Sequence, residues 1–178
     1  MIRKRRRNSK YTMNQATMNP NKALWEKGDF TRIAESMRES GEALVRGFGI
    51  KKGLKVLDLG CGDGTTALPE ARLGAEVLGV DIASNLVEAG NKRAKEQGLT
   101  NCKFQEGDAS NLHELKDHSF DLVVSIFGAM FAPKPFDVAK EMARVTRRMW
   151  GAKTLLCWSA RWRTRHDRPP CIDAARDG

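Results

Sequence analysis

The chain has 178 residues, of which 40% are hydrophobic and 30% are charged. This length fits one domain, and it buries enough surface to fold without a disulfide or a structural metal. No run of about 18 apolar residues occurs, and the basic N-terminus lacks the apolar run of a secretory signal. We therefore expect no membrane span, and we expect the protein to be cytoplasmic.

The net charge of +9 is concentrated at the two ends of the chain. Residues 1–10 carry six basic residues and no acidic one, and residues 144–178 carry nine basic and three acidic residues. Residues 11–143 hold 16 basic and 19 acidic residues. Basic ends bind polyanions without sequence preference. We expect no specific nucleic-acid partner, and an RNA-directed function stays open only as an alternative.

The cysteine pattern gives no sign of a metal or a disulfide framework. No C-x-x-C pair and no Cys/His spacing typical of zinc occurs, so we expect no metal site and reduced thiols. The four cysteines are Cys61, Cys102, Cys157 and Cys171.

The N-terminal part divides into an arm and a helix. Residues 1–20 are polar and without periodicity, which predicts a flexible basic arm. From Lys22 onward apolar residues recur at helical spacing, and Gly47 and Gly49 end the predicted helix. The apolar positions are Ile33, Met37, Leu44 and Val45.

Strand-like and helical segments alternate from residue 55 onward. The predicted strands are 55–59, 76–80, 102–105, 120–126 and 153–159. The predicted helices are 65–73, 84–97 with Ser84 as N-cap and Gly98 closing it, and 136–147 opened by Pro135. The alternation predicts an α/β domain over residues 21–160, a doubly wound parallel sheet with helices on both faces. Its ligand is expected at the carboxyl ends of the strands.

A glycine loop follows the first predicted strand in the segment VLDLGCGDGTT, residues 56–66. A strand runs into three glycines at alternate positions and then into a helix, which is the context of a ligand-binding loop. The spacing is D-x-G-x-G-x-G rather than the G-x-G-x-x-G of pyrophosphate binders. Asp58 at the strand end repels a phosphate but suits a cation. The alternative is that Asp58 only braces the turn.

Two further carboxylates follow the next two strands. Asp81 lies 21 residues after Gly60, which is the position of an acid that binds ribose hydroxyls. Ile82 beside it is placed to cover one face of an adenine. Asp108 and the backbone of Ala109 are placed to contact the adenine edge. Each acid alone is more often a turn or cap residue, but three at successive strand ends indicate one binding site.

Four segments resemble, in order and spacing, the motifs of class I S-adenosylmethionine-dependent methyltransferases. They are VLDLGCGDGT, LGVDIASN, EGDASNL and FDLVVSIFGAMF. The resemblance is to the small-molecule enzymes of that family and covers roughly residues 20–147. It implies a Rossmann-like fold, S-adenosylmethionine as cofactor, and methyl transfer to a small organic acceptor.

The resemblance also implies roles for individual residues. The cofactor-binding set is Asp58, Gly60, Cys61, Gly62, Gly64, Asp81, Ile82, Asp108, Ala109 and Ser125. Ser125 and Phe127 would lie near the sulfonium or the acceptor. Trp25 and Phe30, in a segment that resembles the N-terminal cover of relatives, either close over the cofactor or pack as ordinary helix residues.

The catalytic residues are unknown from the sequence. Methyl transfer needs position and a dry site more than a strong base, because the cofactor brings the activated methyl group. His113 and His118 precede the fourth strand and His166 lies near the end, and loop histidines of this kind are usually solvated.

The C-terminal part departs from the family pattern. The family's sheet ends in an antiparallel hairpin, whereas residues 161–178 form an Arg-rich stretch without apolar alternation, in which no strand is predicted. We hypothesise that the native reading frame is lost near Arg148, which leaves five strands without the usual hairpin. The edge of the fifth strand would then be exposed. We therefore expect lower stability and weak or absent turnover. The remaining alternatives are a non-catalytic cofactor-binding fragment and a nucleotide-dependent dehydrogenase.

Overall fold

The structure is a computed structural model that describes residues 19–126, 128–147, 153–157 and 172–173, with side chains up to residue 147. The helices are α1 (Lys22–Lys27), α2 (Phe30–Arg46), α3 (Ala67–Arg72), α4 (Ser84–Glu96) and α5 (Pro135–Val145). The strands are β1 (Lys55–Leu59), β2 (Glu76–Asp81), β3 (Cys102–Glu106), β4 (Leu122–Ile126), β5 (Lys153–Cys157) and β6 (Ile172–Asp173). A 3-10 turn at Ala129–Phe131 follows β4.

Four parallel strands in the order β3-β2-β1-β4 form the part of the sheet that carries the site. The backbone of β5 continues the sheet in parallel beside β4, and the two residues of β6 pair antiparallel with β5. The prediction of no strand after residue 160 therefore differs from the structure at these two residues. A strand of two residues is too short to show the alternation of apolar and polar side chains by which a strand is predicted, so the sequence gives no sign of β6.

Helices cover both faces of the sheet, as predicted. One apolar cluster joins α2, α3 and α4 to one face, and Val56 belongs to it. The other joins α5 to the opposite face and contains Leu57 and Met142. Adjacent residues of β1 thus point to opposite clusters, and Val56, Leu57 and Leu59 are all buried because helices cover both faces. The α/β fold with a parallel sheet is confirmed.

The N-terminal segment forms two helices where the periodicity predicts one. Gly28 is extended at φ −84° and ψ 151° and ends α1. The Asp29 side chain then accepts a hydrogen bond from the backbone N–H of Arg32 and begins α2. The break separates a short helix from the longer one, and both line the cavity described below.

The N-cap predicted for α4 is wrong. Ala83 is the N-cap residue and makes no side-chain hydrogen bond, while Ser84 is already inside the helix. The Ser84 hydroxyl donates to Oε1 of Glu26 at 2.8 Å instead. A serine at a helix start predicts a cap locally, but here a tertiary contact takes its hydroxyl.

The ring of Phe104 on β3 packs where three glycines leave room. A Cβ at Gly64, Gly79 or Gly90 would lie 2.7, 2.7 or 2.8 Å from a ring atom of Phe104. These glycines belong to the loop after β1, to β2 and to α4. Their lack of side chains therefore lets one buried ring join three elements behind the glycine loop.

Among the described residues, no helix is both long and apolar enough to cross a membrane. In the same part of the chain, no group of three or more His, Cys, Asp or Glu side chains is arranged to hold a metal ion. Cys61 and Cys102 are buried free thiols.

Candidate functional site

A cavity of about 450 Å³ opens at the carboxyl ends of β1, β2, β3 and β4. Its volume is in the range of small-molecule and cofactor sites. The glycine loop after β1, the residues that follow β2 and β3, the segment after β4, and helices α1 and α2 surround it. This is the edge at which the alternating pattern predicts the ligand.

The glycine loop is fixed to the end of β2 by backbone hydrogen bonds. The N–H of Gly60 donates to the carbonyl of Val80 at 2.8 Å, and the N–H of Gly62 donates to Oδ2 of Asp81 at 2.8 Å. Gly60, Gly62 and Gly64 have φ of +65°, +55° and +91°. L side chains rarely adopt these angles, so the three glycines permit the turn that leads from β1 into the cavity wall.

Gly60 also meets a second glycine from the other side of the site. A Cβ on Gly60 would lie 2.5 Å from the Cα of Gly128, and a Cβ on Gly128 would lie 2.6 Å from the Cα of Gly60. The main chains after β1 and β4 are therefore in direct contact.

Asp81 lines the cavity with 8% of its surface exposed. Its Oδ1 accepts from the N–H of Ala83 at 2.9 Å, and its Oδ2 accepts from Gly62. Burial raises the pKa of Asp81, and these backbone N–H groups oppose the rise. A carboxylate has about four lone-pair positions, so Asp81 can still accept hydrogen bonds from a ligand hydroxyl.

Asp108 lines the cavity on the β3 side, next to Ala109. Its Oδ1 accepts from the N–H and the hydroxyl of Ser110, both at 2.8 Å. Its Oδ2 accepts from the side-chain amide of Asn19 at 3.2 Å. The carboxylate therefore connects the loop after β3 to the segment that precedes α1.

Asp58 lies behind the cavity wall. It is 1% exposed, and its Oδ2 accepts from the Thr66 hydroxyl at 2.5 Å. Burial raises the pKa of Asp58 to about 7, the Thr66 hydrogen bond opposes this rise, and the charge of Asp81 adds to it. Its Oδ1 has no hydrogen-bond partner among the described residues. Asp58 is thus buried close to Asp81 and does not line the cavity.

The other predicted site residues divide in the same way. Gly60, Cys61, Gly62 and Ile82 line the cavity, whereas Gly64 and Ser125 are not among its lining residues. The Ser125 hydroxyl donates to the carbonyl of Leu59 at 2.7 Å and accepts from the N–H of Ala129 at 2.9 Å. Ser125 thus fixes the segment after β4 to the end of β1, and Phe127 lies outside the described residues.

Trp25 and Phe30 both line the cavity. The Trp25 ring centroid is 4.7 Å from that of Phe30 and 5.1 Å from that of Phe131. Three aromatic side chains from α1, α2 and the 3-10 turn thus form one cluster over the cavity. Of the two interpretations of Trp25 and Phe30, the structure favours a cover.

Polar contacts fix α1 across the end of the sheet. The side-chain amide of Asn21 donates to the carbonyl of Phe131 at 2.9 Å. Lys22 pairs with Glu106, and Glu26 accepts from both the N–H and the hydroxyl of Ser84. No sequence pattern indicates these contacts, because they join segments far apart in the chain.

Asp63, the acidic residue inside the glycine loop, is a further residue of the site that no sequence pattern singles out. Asp63 is 1% exposed and pairs with Arg38 on α2 at 3.1 Å and with Arg93 on α4 at 3.0 Å. Arg93 also donates to the Asp63 carbonyl at 2.6 Å. A buried acid with two arginines from two helices holds the loop between them.

The histidines of the loop before β4 are not near the cavity. His113 contacts Asn111, and His118 contacts the carbonyl of Thr146 at 2.9 Å. Neither is among the residues that line the cavity. His166 lies outside the described residues.

Comparison with known proteins gives a family that fits this geometry. The family model described as a methyltransferase domain matches residues 56–149, which include the glycine loop and the three acidic strand ends. An uncharacterized protein of Mycobacterium tuberculosis is 40% identical over 127 residues, covering 71% of this chain and 46% of that protein.

A demethylmenaquinone methyltransferase of Geobacillus stearothermophilus is 41% identical over 108 residues, 58% of this chain and 45% of that enzyme. A crystal structure of a putative S-adenosyl-L-methionine-dependent methyltransferase from Methanococcus maripaludis superposes with a TM-score of 0.65 at 22% identity, over 78% of this chain and 66% of that one. The chain spans about half the length of the curated relatives it matches. It belongs to the methyltransferase domain family, the class I S-adenosylmethionine-dependent methyltransferases.

Proposed function

We propose that this chain binds S-adenosylmethionine in the cavity and transfers its methyl group to a small organic acceptor. The observation that carries the proposal is that the glycine loop, Asp81 and Asp108 line one cavity at the carboxyl ends of parallel strands. Two carboxylates without a basic neighbour on the cavity floor suit a ligand with cationic and hydroxyl groups better than a pyrophosphate.

The residues present fit the group. Gly60, Cys61 and Gly62 would lie against the methionine part, Asp81 would accept from the ribose hydroxyls, and Ile82 would cover the adenine. On the β3 side, Asp108 with Ala109 would contact the adenine edge. When bound, the cofactor supplies a methyl group on a positively charged sulfur.

Asp58, Gly64 and Ser125 take an indirect part in this proposal. Gly64 leaves room for Phe104, and Ser125 holds the segment after β4. Asp58 lies beneath the wall, where its Oδ2 accepts a hydrogen bond from the Thr66 hydroxyl. The proposal includes the expected domain limits, with an arm over residues 1–20, a domain of five parallel strands over 21–160, and an Arg-rich tail beyond.

The chain's own groups have two roles in this mechanism. Trp25, Phe30 and Phe131 exclude water above the cavity, which strengthens the electrostatic attraction of the floor for a cation. The glycine loop positions the methyl donor through its backbone. No histidine or lysine lies among the described lining residues, so the acceptor's own nucleophilicity carries the reaction.

The test is calorimetric titration with S-adenosylhomocysteine. We expect the wild type to bind, and we expect Asp81→Ala to lose about 1–3 kcal/mol of binding free energy, the scale for a hydrogen-bonded charged partner. Asp81→Asn, which keeps the size of the side chain, checks that the loss is not a loop rearrangement. Glu88→Ala on the exposed part of α4 is the control.

Equal affinity of the wild type and Asp81→Ala would contradict the assignment. Displacement of S-adenosylhomocysteine by NAD would favour a dehydrogenase instead. Methylation of an acceptor by the purified chain, followed with a labelled methyl group, tests catalysis apart from binding.

A further inference from the structure

The cavity has two chemically different sides. The floor is the glycine loop with Asp81 and Asp108. The opposite side, which we call the apolar wall, consists of hydrophobic residues from α1, α2 and the segment after β4. Its members are Trp25, Phe30, Ile33, Ala34, Met37, Ala129, Met130, Phe131 and Ala132. The proposed cofactor uses the polar groups of the floor, and the apolar wall, which includes the covering residues Trp25 and Phe30, offers a second ligand an apolar surface.

The cavity offers no partner for an anionic ligand. None of the described residues that line the cavity is Lys, Arg or His. The lining carboxylates are Asp63, Asp81 and Asp108, and Asp63 already pairs with Arg38 and Arg93. An anionic ligand would lose its hydration there without gaining a cation, which is costly.

The apolar character continues to the protein surface. Ile33 and Phe131 line the cavity and yet are 55% and 47% exposed, so they lie at its mouth. Leu24 on α1 and Phe136 at the start of α5 are 61% and 82% exposed. Ile33 and Phe131 are thus two of the five exposed large hydrophobic side chains in the described part of the chain, and both border the cavity.

We propose that the methyl acceptor is an uncharged aromatic small molecule that enters between Ile33 and Phe131 and stacks against the apolar wall. The inference rests on the proposed function. Aromatic rings gain from offset or edge contacts with other rings, and Trp25, Phe30 and Phe131 provide three of them. The acceptor's heteroatom bonds to the methyl carbon as the sulfur–carbon bond breaks, its electron pair stays on sulfur, and the acceptor's proton passes to water.

The test compares two probes with the same ring system. Calorimetry at neutral pH, with the full chain saturated with S-adenosylhomocysteine, measures the affinity of uncharged 1-naphthol and of the 1-naphthoate anion. We expect the wild type to bind 1-naphthol at least about tenfold more tightly, since the anion would be buried without a partner.

Two lysine variants test where the selectivity arises. Ile33→Lys puts a cation at the mouth, and its exposed position can accept the change without unfolding the helix. We expect it to weaken 1-naphthol binding and strengthen 1-naphthoate binding, by about tenfold or more in the ratio. Leu73→Lys is the matched control, because Leu73 is 46% exposed but does not line the cavity, and it should leave the ratio unchanged.

Two results would overturn the inference: equal binding of both probes by the wild type, or equal effects of the two lysine variants. Titration of the same samples with S-adenosylhomocysteine separates the two proposals. A protein that binds it but shows no preference for 1-naphthol keeps the proposed function and loses this inference. A protein that does not bind it loses the proposed function.

Discussion

Asp58 and Glu70 are two buried carboxyl groups that make no ion pair with any described residue. Glu70 on α3 is 0% exposed, and neither of its oxygens accepts a hydrogen bond from the part of the chain that the structure describes. Burial raises its pKa well above the ordinary value, and the charge of Asp58 raises it further. Because two neighbouring buried carboxylates repel each other, at least one of Asp58 and Glu70 is favoured in its protonated form at neutral pH.

The pH dependence of stability follows from the direction of these shifts. The pKa of Asp58 is about 7 in the folded protein and 3.8 ordinarily, so between these values the folded state keeps a proton that the unfolded chain has lost. The free energy of unfolding therefore falls as pH rises through this window, and the contribution is fully present below it. We expect Asp58→Asn to flatten that slope, as measured by urea denaturation at successive pH values.

Glu88→Gln is the control for this prediction, because Glu88 is an exposed carboxylate on α4. It should reproduce the slope of the wild type. A slope that survives Asp58→Asn unchanged would show that Asp58 does not titrate in this window.

The sequence predicts which acidic residues lie at the strand ends, but it does not predict which of them line the cavity and which are buried behind it. Asp81 and Asp108 line the cavity where the strand-end pattern places them, whereas Asp58 has the same local signal and lies behind the wall. Burial depends on which helix covers the strand end, and no local pattern contains that information. Glu70 has no signal at all, since a charged residue in a short helix normally faces solvent.

At the scale of elements, α1 is held over the cavity by side chains from other segments. Ser84 gives Glu26 two hydrogen bonds, at 3.3 Å from its N–H and 2.8 Å from its hydroxyl. We expect Ser84→Ala to loosen α1 and leave α4 intact, because the hydroxyl does not cap its own helix. Hydrogen exchange should show faster exchange of the α1 amides and unchanged exchange in the first turn of α4.

Ser40→Ala on the exposed part of α2 is the matched control and should change neither helix. Faster exchange at the start of α4 in Ser84→Ala would instead support a capping role and contradict the assignment.

Periodicity predicts the elements that are long or fully apolar. The first four strands and the helices after β1 lie where the pattern indicates, with ends that shift by one or two residues. The break between α1 and α2 is missed because it depends on the extended backbone of Gly28 and the cap from Asp29. The signal was present, since a glycine followed by aspartate commonly separates two helices.

On the scale of the whole molecule, Asp63 joins three parts of the fold. Removing its carboxylate leaves Arg38 and Arg93 without the buried acid that they share, while Arg38 retains its pair with the exposed Glu35. We expect Asp63→Ala to lower the free energy of unfolding by about 1–3 kcal/mol, below the cost of breaking a fully buried pair because Arg38 reaches solvent. Thermal and urea denaturation measure the change.

Glu35→Ala tests the same arginine from its exposed side. Glu35 is 62% exposed and 3.8 Å from Arg38, and such surface pairs contribute about 0–1 kcal/mol. If the two variants lose equal stability, the buried acid has no special role in joining α2 and α4 to the loop.

The assembly of the site is the part that the sequence predicts least. The motif order predicts the sheet and the side on which a ligand binds, because parallel strands bring their carboxyl ends to one edge. The contacts that close the cavity, from Asn19 to Asp108 and from Trp25 to Phe131, join residues about a hundred positions apart. Patterns within a single sequence relate only residues that are close along the chain, so they do not predict such contacts.

The contact between Gly60 and Gly128 has a consequence for how the family can vary. Neither residue has a Cβ, so the two main chains meet directly, and the Ser125 hydroxyl adds a second link between the segment after β4 and the end of β1. On the proposed function, side chains at 129–132 can be exchanged to suit another acceptor while the distance between the bound methyl donor and the apolar wall is preserved. In the proposed site, the choice of acceptor and the donor-to-acceptor distance thus depend on different atoms, so the first can change during evolution while the second is kept.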